Sequence, residues 1–228
     1  METTAVSTRS LRSKGIPFHT DAVQAASQIK LDLSSLPVDL VSIGAHKFYG
    51  PKGVGALFVR SGTPIDPCQT GGAQEFGLRA GTHNVPLIVG MAKALQRTTE
   101  SLEEHAVRFG RLRDRLIGEI ARRISEARLT GHPVQRLPNH ASFAFRAVDG
   151  NQLLAALDLH GFGCSSGSAC KTGDPEPSDV LTAIGLPRDW ALGSLRITVG
   201  RSTTDDDVEA FLEILPDVVE RLRRVVVP

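Results

Sequence analysis

The sequence lacks the features of several protein classes. No stretch approaches the roughly 20 consecutive apolar residues of a membrane-spanning helix, and residues 1–15 contain no apolar core of the kind that a secretory signal needs. There are only three cysteines, and they form no disulfide-framework pattern. These absences exclude membrane-spanning and disulfide-scaffold classes and predict a reducing, cytoplasmic location.

An excess of charge of one sign is also lacking. The 26 basic and 25 acidic residues give a formal net charge of +1, so no overall field draws the chain to nucleic acid or to an anionic membrane surface. What is present is ordinary for a globular protein: 228 residues, of which 41% are hydrophobic and 22% charged. That length allows one large domain or two small ones, with a substantial core.

The pattern of the chain changes near residue 100. Short apolar runs at 16–21, 38–43 and 54–60 predict strands joined by short connections, as in an α/β sheet. Residues 86–124 have apolar spacing typical of one long helical region. Beyond it we predict strands at 141–146 and 195–199, a helix over 151–159 and a last helix capped by Thr204. The predicted fold class is α/β, with an incomplete mixed sheet and helices over residues 1–100 and a small α+β domain over residues 101–228.

An acid and an amine follow the first two predicted strands. Asp21 ends the first strand, with Gln24 three residues later, and Lys47 follows the second strand directly after His46. Taken singly, Asp21 is more typical of a helix N-cap and Lys47 of a solvated charge, while His46 fits a phosphate donor and a turn residue equally well. Together, an aspartate that keeps a pyridine nitrogen protonated and a lysine that bonds to an aldehyde are the pair that a pyridoxal phosphate (PLP) enzyme requires.

A run of small polar residues surrounds one cysteine. Residues 165–173 (SSGSACKTG) contain no large apolar side chain, so we predict an exposed, mobile loop. Cys170 in that run lacks the burial that a structural cysteine prefers, and Lys171 beside it favours the thiolate, so Cys170 is a candidate nucleophile. The apolar or proline neighbours of Cys68 and Cys164 predict buried thiols instead. The spacing of cysteines and histidines predicts no metal site.

One arginine on a late strand is a candidate anion ligand. Arg196 lies in the predicted strand 195–199, and a guanidinium can bind a carboxylate through two parallel hydrogen bonds. Taken alone, the residue is more typical of a surface arginine, and the sequence pattern leaves both interpretations open.

Four ordered motifs resemble those of one known family. They are residues 19–24 (HTDAVQ), 44–53 (GAHKFYGPKG), 71–82 (GGAQEFGLRAGT) and 165–170 (SSGSAC). In this order they are similar to the cysteine desulfurases of PLP fold type I, in the aminotransferase class V group, over essentially the whole chain. The last motif resembles that of the class I desulfurases, whose cysteine lies on a long mobile loop and hands sulfur to partner proteins. Residues 1–100 would then be part of a PLP-binding large domain.

The resemblance implies a role for each motif residue of the first part. Lys47 would bond covalently to PLP, Asp21 would pair with the ring nitrogen, and Gln24 with the ring hydroxyl oxygen. His46 would contact the phosphate. Thr82 resembles the residue that reaches the phosphate of the neighbouring subunit's cofactor, which implies a homodimer.

The same resemblance implies the reaction. The substrate would be L-cysteine, held through its carboxylate by Arg196, and the freed amine of Lys47 would remove its Cα proton. The Cys170 thiolate would attack the substrate sulfur, giving L-alanine and a persulfide on the protein. The sulfur would then pass to an acceptor or scaffold protein in iron–sulfur cluster assembly or a thiolation pathway.

Two departures from the family pattern leave alternatives open. Gly44 stands where many relatives have a serine that binds phosphate, so one phosphate contact is expected to be absent. Residues 1–14 resemble a helix well inside the family's large domain, so a segment with the main phosphate loop, a ring-stacking histidine and an asparagine is expected to be missing. A shortened chain would expose apolar sheet surface, which predicts poor solubility or a partner, and its activity alone is left open. The alternatives are another class V PLP lyase or aminotransferase, and a non-enzymatic remnant that binds sulfur-transfer partners.

Overall fold

The chain separates into two compact units, one running to Glu103 and the other beginning at Glu104. The computed structural model describes residues 10–11, 13–166 and 176–226, with side chains described as far as residue 224. Among the helices in these ranges, none is long and apolar enough to cross a membrane.

The first unit contains a three-stranded sheet and one long helix. Its elements are β1 (His19–Asp21), β2 (Leu40–Gly44), β3 (Gly55–Val59) and α1 (Val85–Glu100), with 3-10 turns at Ala45–Lys47 and Glu75–Gly77. β1 pairs in parallel with β2, and β2 pairs antiparallel with β3. The mixed sheet predicted for this part of the chain is therefore confirmed.

One arginine organises the connection between β1 and β2. The guanidinium of Arg60 donates from Nε to the carbonyl of Val38 (2.8 Å) and from Nη2 to the carbonyls of Leu33 (2.8 Å) and Leu36 (2.9 Å). These carbonyls lie in irregular backbone, where no neighbouring strand supplies a donor. Arg60 thus fixes the approach of the chain to β2 and so helps to set where β2 begins.

The second unit is built on an antiparallel sheet in the order β4-β5-β6. Its elements are α2 (Leu102–Arg123, whose first two residues belong to the first unit), β4 (Ala127–Leu129), β5 (His140–Phe145), α3 (Gly150–Leu159), α4 (Asp179–Ala183), α5 (Arg188–Ala191), β6 (Ser194–Thr198) and α6 (Asp205–Val226). This composition confirms the predicted α+β character of the second part.

Alternation along β5 and β6 gives this sheet one apolar and one polar face. Ala141, Phe143, Leu195 and Ile197 are buried in the core, which the helices α2, α3 and α6 complete. The residues between them point the other way, and Arg196 among them is exposed. The strand pattern that predicts β6 therefore also predicts that Arg196 faces away from the core.

The helical region predicted over residues 86–124 is confirmed in its extent, but it is divided into two helices. Two helices, α1 and α2, meet at Ser101, which has non-helical backbone angles. The amide and hydroxyl of Ser101 both donate to the carbonyl of Arg97 (3.3 and 3.0 Å), and the hydroxyl of Thr99 donates to that of Leu95 (2.9 Å). Short hydroxyl side chains offer the backbone alternatives to the helical hydrogen bond, so a cluster of them ends the helix.

The helix ends predicted in the second unit are confirmed. The hydroxyl of Thr204 accepts from the amide of Asp207 (3.1 Å), and the amide of Thr204 donates to the Asp207 carboxylate (2.8 Å), a reciprocal capping box. After α3, Gly161 adopts a left-handed conformation with φ of +83°. Glycine takes that conformation without the penalty that a Cβ imposes, so the helix ends there.

Candidate active site

Asp21 lies at the carboxyl end of β1, exposed to solvent. Because β1 and β2 run in parallel with Asp21 opposite Ser42, their carboxyl ends meet at one edge of the sheet. One carboxylate oxygen of Asp21 accepts from the amide of Val23 (2.8 Å), which starts the turn after the strand. Asp21 therefore caps a turn and not the helix that its N-cap interpretation implies, and this hydrogen bond holds the carboxylate at the edge where a ligand would bind.

Lys47 ends the 3-10 turn that directly follows β2. Ala45 and Phe48, on either side of His46 and Lys47, are fully buried and anchor the turn. The amides of Phe48 (3.1 Å) and Gly50 (2.9 Å) both donate to the carbonyl of Ala45. With its neighbours held in this way, the turn presents the His46 and Lys47 side chains to solvent.

Helix α1 braces this turn from behind. The hydroxyl of Thr98, buried on α1, donates to the carbonyl of Phe48 (3.3 Å). A Cβ placed on Gly50 would lie 2.9 Å from the Ala45 carbonyl oxygen and 3.1 Å from the Ala94 methyl group. Only a glycine lets the chain pass between the turn and α1 at this distance. The position of Lys47 thus depends on helix packing as well as on its own strand.

Gly44 brings the imidazole of His46 against the backbone. A Cβ on Gly44 would lie 3.3 Å from Cε1 of His46 and 3.5 Å from a methyl group of Val23. A serine at position 44 would therefore displace the His46 ring slightly, because the 3.3 Å contact to His46 is closer than ordinary van der Waals contact, whereas the contact to Val23 is an ordinary one. The His46 ring can occupy its present position because residue 44 is a glycine and not a serine.

The other two cofactor candidates of this unit are also exposed. Gln24 lies in the turn after β1, and Thr82 lies at the end of the glycine-rich segment 71–82. That segment is closed by a hydrogen bond from the amide of Gly81 to the Gln74 side chain (3.1 Å) and by a Glu75–His83 contact of 3.1 Å. Thr82 lies between these two closures, so its backbone is held although its side chain is exposed.

Arg196 is the candidate substrate ligand of the second unit, and it is anchored through its backbone. Its amide donates to the carbonyl of Ser165 (2.6 Å), and its carbonyl accepts from the amide of Ser165 (3.2 Å), forming an isolated β-bridge. Ser165 opens the motif 165–170, so this bridge joins the start of that motif to the strand that carries Arg196. The guanidinium itself extends into solvent.

The three cysteines differ in how far the structure tests them. Cys170 lies outside the described residues. Cys164 was predicted to be buried and is half-buried, and that burial raises the pKa of its thiol to about 11. Cys68 was predicted to be buried, and this prediction is wrong, because the residue is exposed in a polar surface segment at 65–73. A neighbouring proline is a poor sign of burial, since prolines are themselves mostly exposed.

Two histidines lie on the same sheet faces as Asp21 and Arg196, and no role was predicted for them from the sequence. His19 on β1 contacts the hydroxyl of Ser42 on β2 through Nε2 (2.8 Å), on the same sheet face as Asp21. His140 on β5 lies on the same face as Arg196. The alternation of side chains along a strand predicts from the sequence that His19 lies on the same face as Asp21. The contact of His19 with Ser42 and the proximity of His140 to Arg196 join different strands, so local sequence does not predict them.

The exposed edge of the first unit carries side-chain groups that fit PLP. A carboxylate, an amide, an imidazole and a primary amine stand there on Asp21, Gln24, His46 and Lys47. These are the groups needed for a ring nitrogen, a ring hydroxyl, a phosphate and an aldehyde, and the small residues Gly44 and Ala45 leave room beside them. Among the residues described, no group of three side chains suited to a metal ion occurs.

The chain resembles known proteins in sequence. Residues 4–211 match the model of the family described as aminotransferase class-V. The chain is 47% identical over 210 residues to a cysteine desulfurase IscS of Methanosarcina thermophila, covering 92% of this chain and 52% of the relative. It therefore spans about half the length of the curated relatives that it matches.

Solved structures of related proteins share the fold of this chain. A NifS-like protein is 36% identical with a TM-score of 0.84, covering 94% of this chain and 56% of that one. A structure of SspA in complex with cysteine is 30% identical with a TM-score of 0.63, covering 84% and 52%. The resemblance is thus one of fold as well as of sequence, over nearly the whole of this chain.

Proposed function

The chain belongs to the aminotransferase class-V family, and on that premise we propose that it is part of a PLP-dependent cysteine desulfurase. The observation that carries the proposal is the exposed edge of the first unit, where Asp21 ends β1 and Lys47 lies in the turn after the neighbouring parallel strand β2. In this arrangement the carboxylate can pair with the nitrogen of a pyridine ring, and the amine can bond to the aldehyde that the ring carries. These groups support binding of PLP, and the relatives named cysteine desulfurase support the choice of reaction.

Four residues would hold the cofactor. Asp21 would keep the ring nitrogen protonated, Gln24 would contact the ring hydroxyl, His46 the phosphate, and Lys47 would bond to the aldehyde. When bound, PLP supplies an electron sink that makes the Cα proton of an amino acid removable. The amine of Lys47, carried on a braced turn, would be the base that takes this proton.

The sulfur chemistry would fall to Cys170. Its thiolate would form an S–S bond with the sulfur of L-cysteine while the substrate C–S bond breaks. The products would be L-alanine and a persulfide on Cys170, so one thiol and one cysteine are converted with no outside oxidant or reductant. Arg196 would hold the substrate carboxylate through its guanidinium. A sulfur acceptor of an iron–sulfur cluster or thiolation pathway would then take the persulfide sulfur.

A homodimer in the cytoplasm is part of the same proposal. Thr82 would reach the cofactor of the partner subunit. Support comes from α1, which starts three residues later and exposes an apolar stripe of Val85, Ile88 and Val89 at helical spacing. Exposed apolar side chains grouped on one helix face are typical of a surface that another copy covers.

The first test is the visible spectrum of the full chain with added PLP. We expect an absorbance band that is lost in Lys47→Ala and kept in Lys52→Ala, a matched control five residues along the same exposed segment. Alanine and sulfide formation from L-cysteine should then depend on both Lys47 and Cys170. A lysine-independent band would contradict the assignment of Lys47.

Two other results would favour the alternatives. Full turnover by Cys170→Ala, with the band intact, would indicate a different class V lyase or aminotransferase, because such reactions need no thiol nucleophile. A folded chain with no band would indicate a non-enzymatic member or a portion that needs a further polypeptide. Adding the N-terminal half of a full-length relative would separate these two, since only a complementing portion would regain the band.

A further inference from the structure

The polar face of the second unit's sheet carries a histidine beside Arg196. β5 and β6 pair antiparallel with His140 opposite Thr198 and Ser142 opposite Arg196. All four therefore lie on the same face of the sheet, and His140 and Arg196 are diagonal neighbours, at about 7–8 Å. Both side chains are long enough to meet across that distance.

The surroundings of His140 are positive. Burial, as the largest cause, then the charges of Arg136 and Arg196, lower the pKa of His140, and a hydrogen bond to its own backbone acts in the opposite direction. Arg136 faces it from the loop before β5 and is itself near Arg113 and Asp114 of α2. Among the described residues, no carboxylate contributes to the shift at His140.

The two arginines beside His140 differ in what they are bound to. Arg136 donates to the carbonyls of His132 (2.9 Å), Thr130 (3.0 Å) and His140 (3.5 Å), so its guanidinium is committed to the backbone. The guanidinium of Arg196 has no hydrogen bond or ion pair within residues 10–11, 13–166 and 176–226. Its donors therefore lie beside the His140 ring with no acceptor from these ranges bound to them.

We propose that His140 is a second recognition residue beside Arg196, its ring N–H donating to the carboxylate that the guanidinium holds. The inference rests on the proposed function only in naming that carboxylate as the one of L-cysteine. An anion placed between the two groups offsets their repulsion and stabilises the protonated ring. Carboxylate binding is therefore coupled to uptake of a proton by His140.

The test is a histidine titration of the full chain by NMR, with labelled histidine side chains. The chain has seven histidines, and His140→Gln identifies the resonance of His140 by its loss. Acetate and L-alanine, the proposed product, are the probes. We expect saturating probe to raise the pKa of His140 by roughly one unit, as an opposite charge within a few ångströms does, and to leave the other histidines unchanged.

Three arginine variants separate recognition from general charge. Arg196→Gln should raise the pKa of His140 in the free chain, because one facing cation is gone, and abolish the response to acetate. Arg196→Lys keeps the charge and should keep a weakened response. Arg128→Gln is the matched control: Arg128 lies on the same sheet face but stacks on Trp190, 4.6 Å from the ring centre. It should change neither value, and an effect equal to that of Arg196→Gln would overturn the inference.

Turnover provides a separate measurement. If the desulfurase proposal holds, His140→Leu should raise KM for L-cysteine about tenfold with kcat within about twofold, because it removes binding rather than chemistry. His140→Gln, which keeps an N–H donor, should recover much of that loss. A responsive His140 in a chain without turnover would count against the proposed function and support the recognition pair. An unresponsive His140 overturns the inference whether or not turnover is seen.

Discussion

At the scale of single residues, the described cysteines Cys68 and Cys164 are expected to differ in reactivity. Burial raises the pKa of Cys164 to about 11, so roughly one thiol in a thousand is ionised at pH 8. Cys68 is exposed. We expect iodoacetamide to label Cys68 at least about tenfold faster than Cys164 in the folded chain at pH 8, since only thiolates react. Mass spectrometry of peptides taken at timed intervals measures both rates.

The same burial gives a dependence on pH. Labelling of Cys164 should quicken with each pH unit up to about 11. The thiol of Cys164 ionises more readily in the unfolded chain than in the folded one. Its contribution to the free energy of unfolding therefore falls as the pH rises above 9.0, the ordinary pKa of a cysteine thiol. Cys68→Ser serves as the control that removes the fast label alone. Equal labelling of Cys68 and Cys164 at pH 8 would contradict the burial of Cys164.

At the scale of elements, the turn that carries Lys47 depends on its packing against α1. Gly50→Ala should destabilise the chain by about 1–3 kcal/mol, because the added methyl group meets the Ala45 carbonyl and the Ala94 methyl group. Gly118→Ala is the matched control within α2, where a Cβ meets nothing within 4 Å. It should stabilise the chain by about 0.5–1 kcal/mol, through helix propensity. Urea unfolding of both variants measures the difference.

The sign of the two effects decides the outcome. Opposite changes in the free energy of unfolding would support close packing of the turn, whereas stabilisation by Gly50→Ala would exclude it. The PLP-dependent absorbance band adds a second readout. If the brace positions Lys47, then Gly50→Ala should weaken the band more than its loss of stability alone explains.

The elements also differ in how far local sequence determines them. Thr204 and Gly161 were predicted correctly, because a cap and a left-handed glycine act within a few residues of the chain. The break at Ser101 was missed, since apolar spacing carries across it and the deciding hydroxyl groups act against that spacing. His140 and Arg196, diagonal neighbours in the sheet, are 56 positions apart in the printed sequence, and the register that makes them neighbours is set by folding of the whole unit.

The candidate site follows the same rule. The positions of Asp21 and Lys47 near the ends of β1 and β2 could be predicted, because short apolar runs at 16–18 and 38–43 precede them in the sequence, while their roles stay a prediction. The support of the Lys47 turn by Thr98 and Gly50 could not be predicted, because it depends on where α1 packs. The exposure of Cys68 was also missed, since its immediate neighbours give little information about burial.

At the scale of the whole molecule, the two units differ in the size of their cores. We propose that they correspond to the domains predicted over residues 1–100 and 101–228. The second unit has one large cluster of buried side chains drawn from its sheet and three of its helices. The described part of the first unit has two small clusters, around Phe48 and around Val41.

Fragments should reveal this difference. Residues 101–228 expressed alone are expected to unfold in one cooperative thermal transition, since buried apolar area supplies most of the free energy of folding. Residues 1–100 alone should show a broad transition or none. Calorimetry and circular dichroism of the two fragments measure this. A cooperative first fragment beside an unfolded second one would contradict the proposed independence of the second unit.

The bridge between Ser165 and Arg196 has a consequence for how this chain can vary. The bridge uses only main-chain amide and carbonyl groups, which nineteen of the twenty residue types provide in full; proline alone lacks the N–H. A codon change at position 196 can therefore alter the side chain and leave the anchoring of residue 165 intact. The side chain and the anchoring at this residue are therefore genetically separable, and Arg196→Pro is the substitution that removes the guanidinium together with the amide that donates to Ser165.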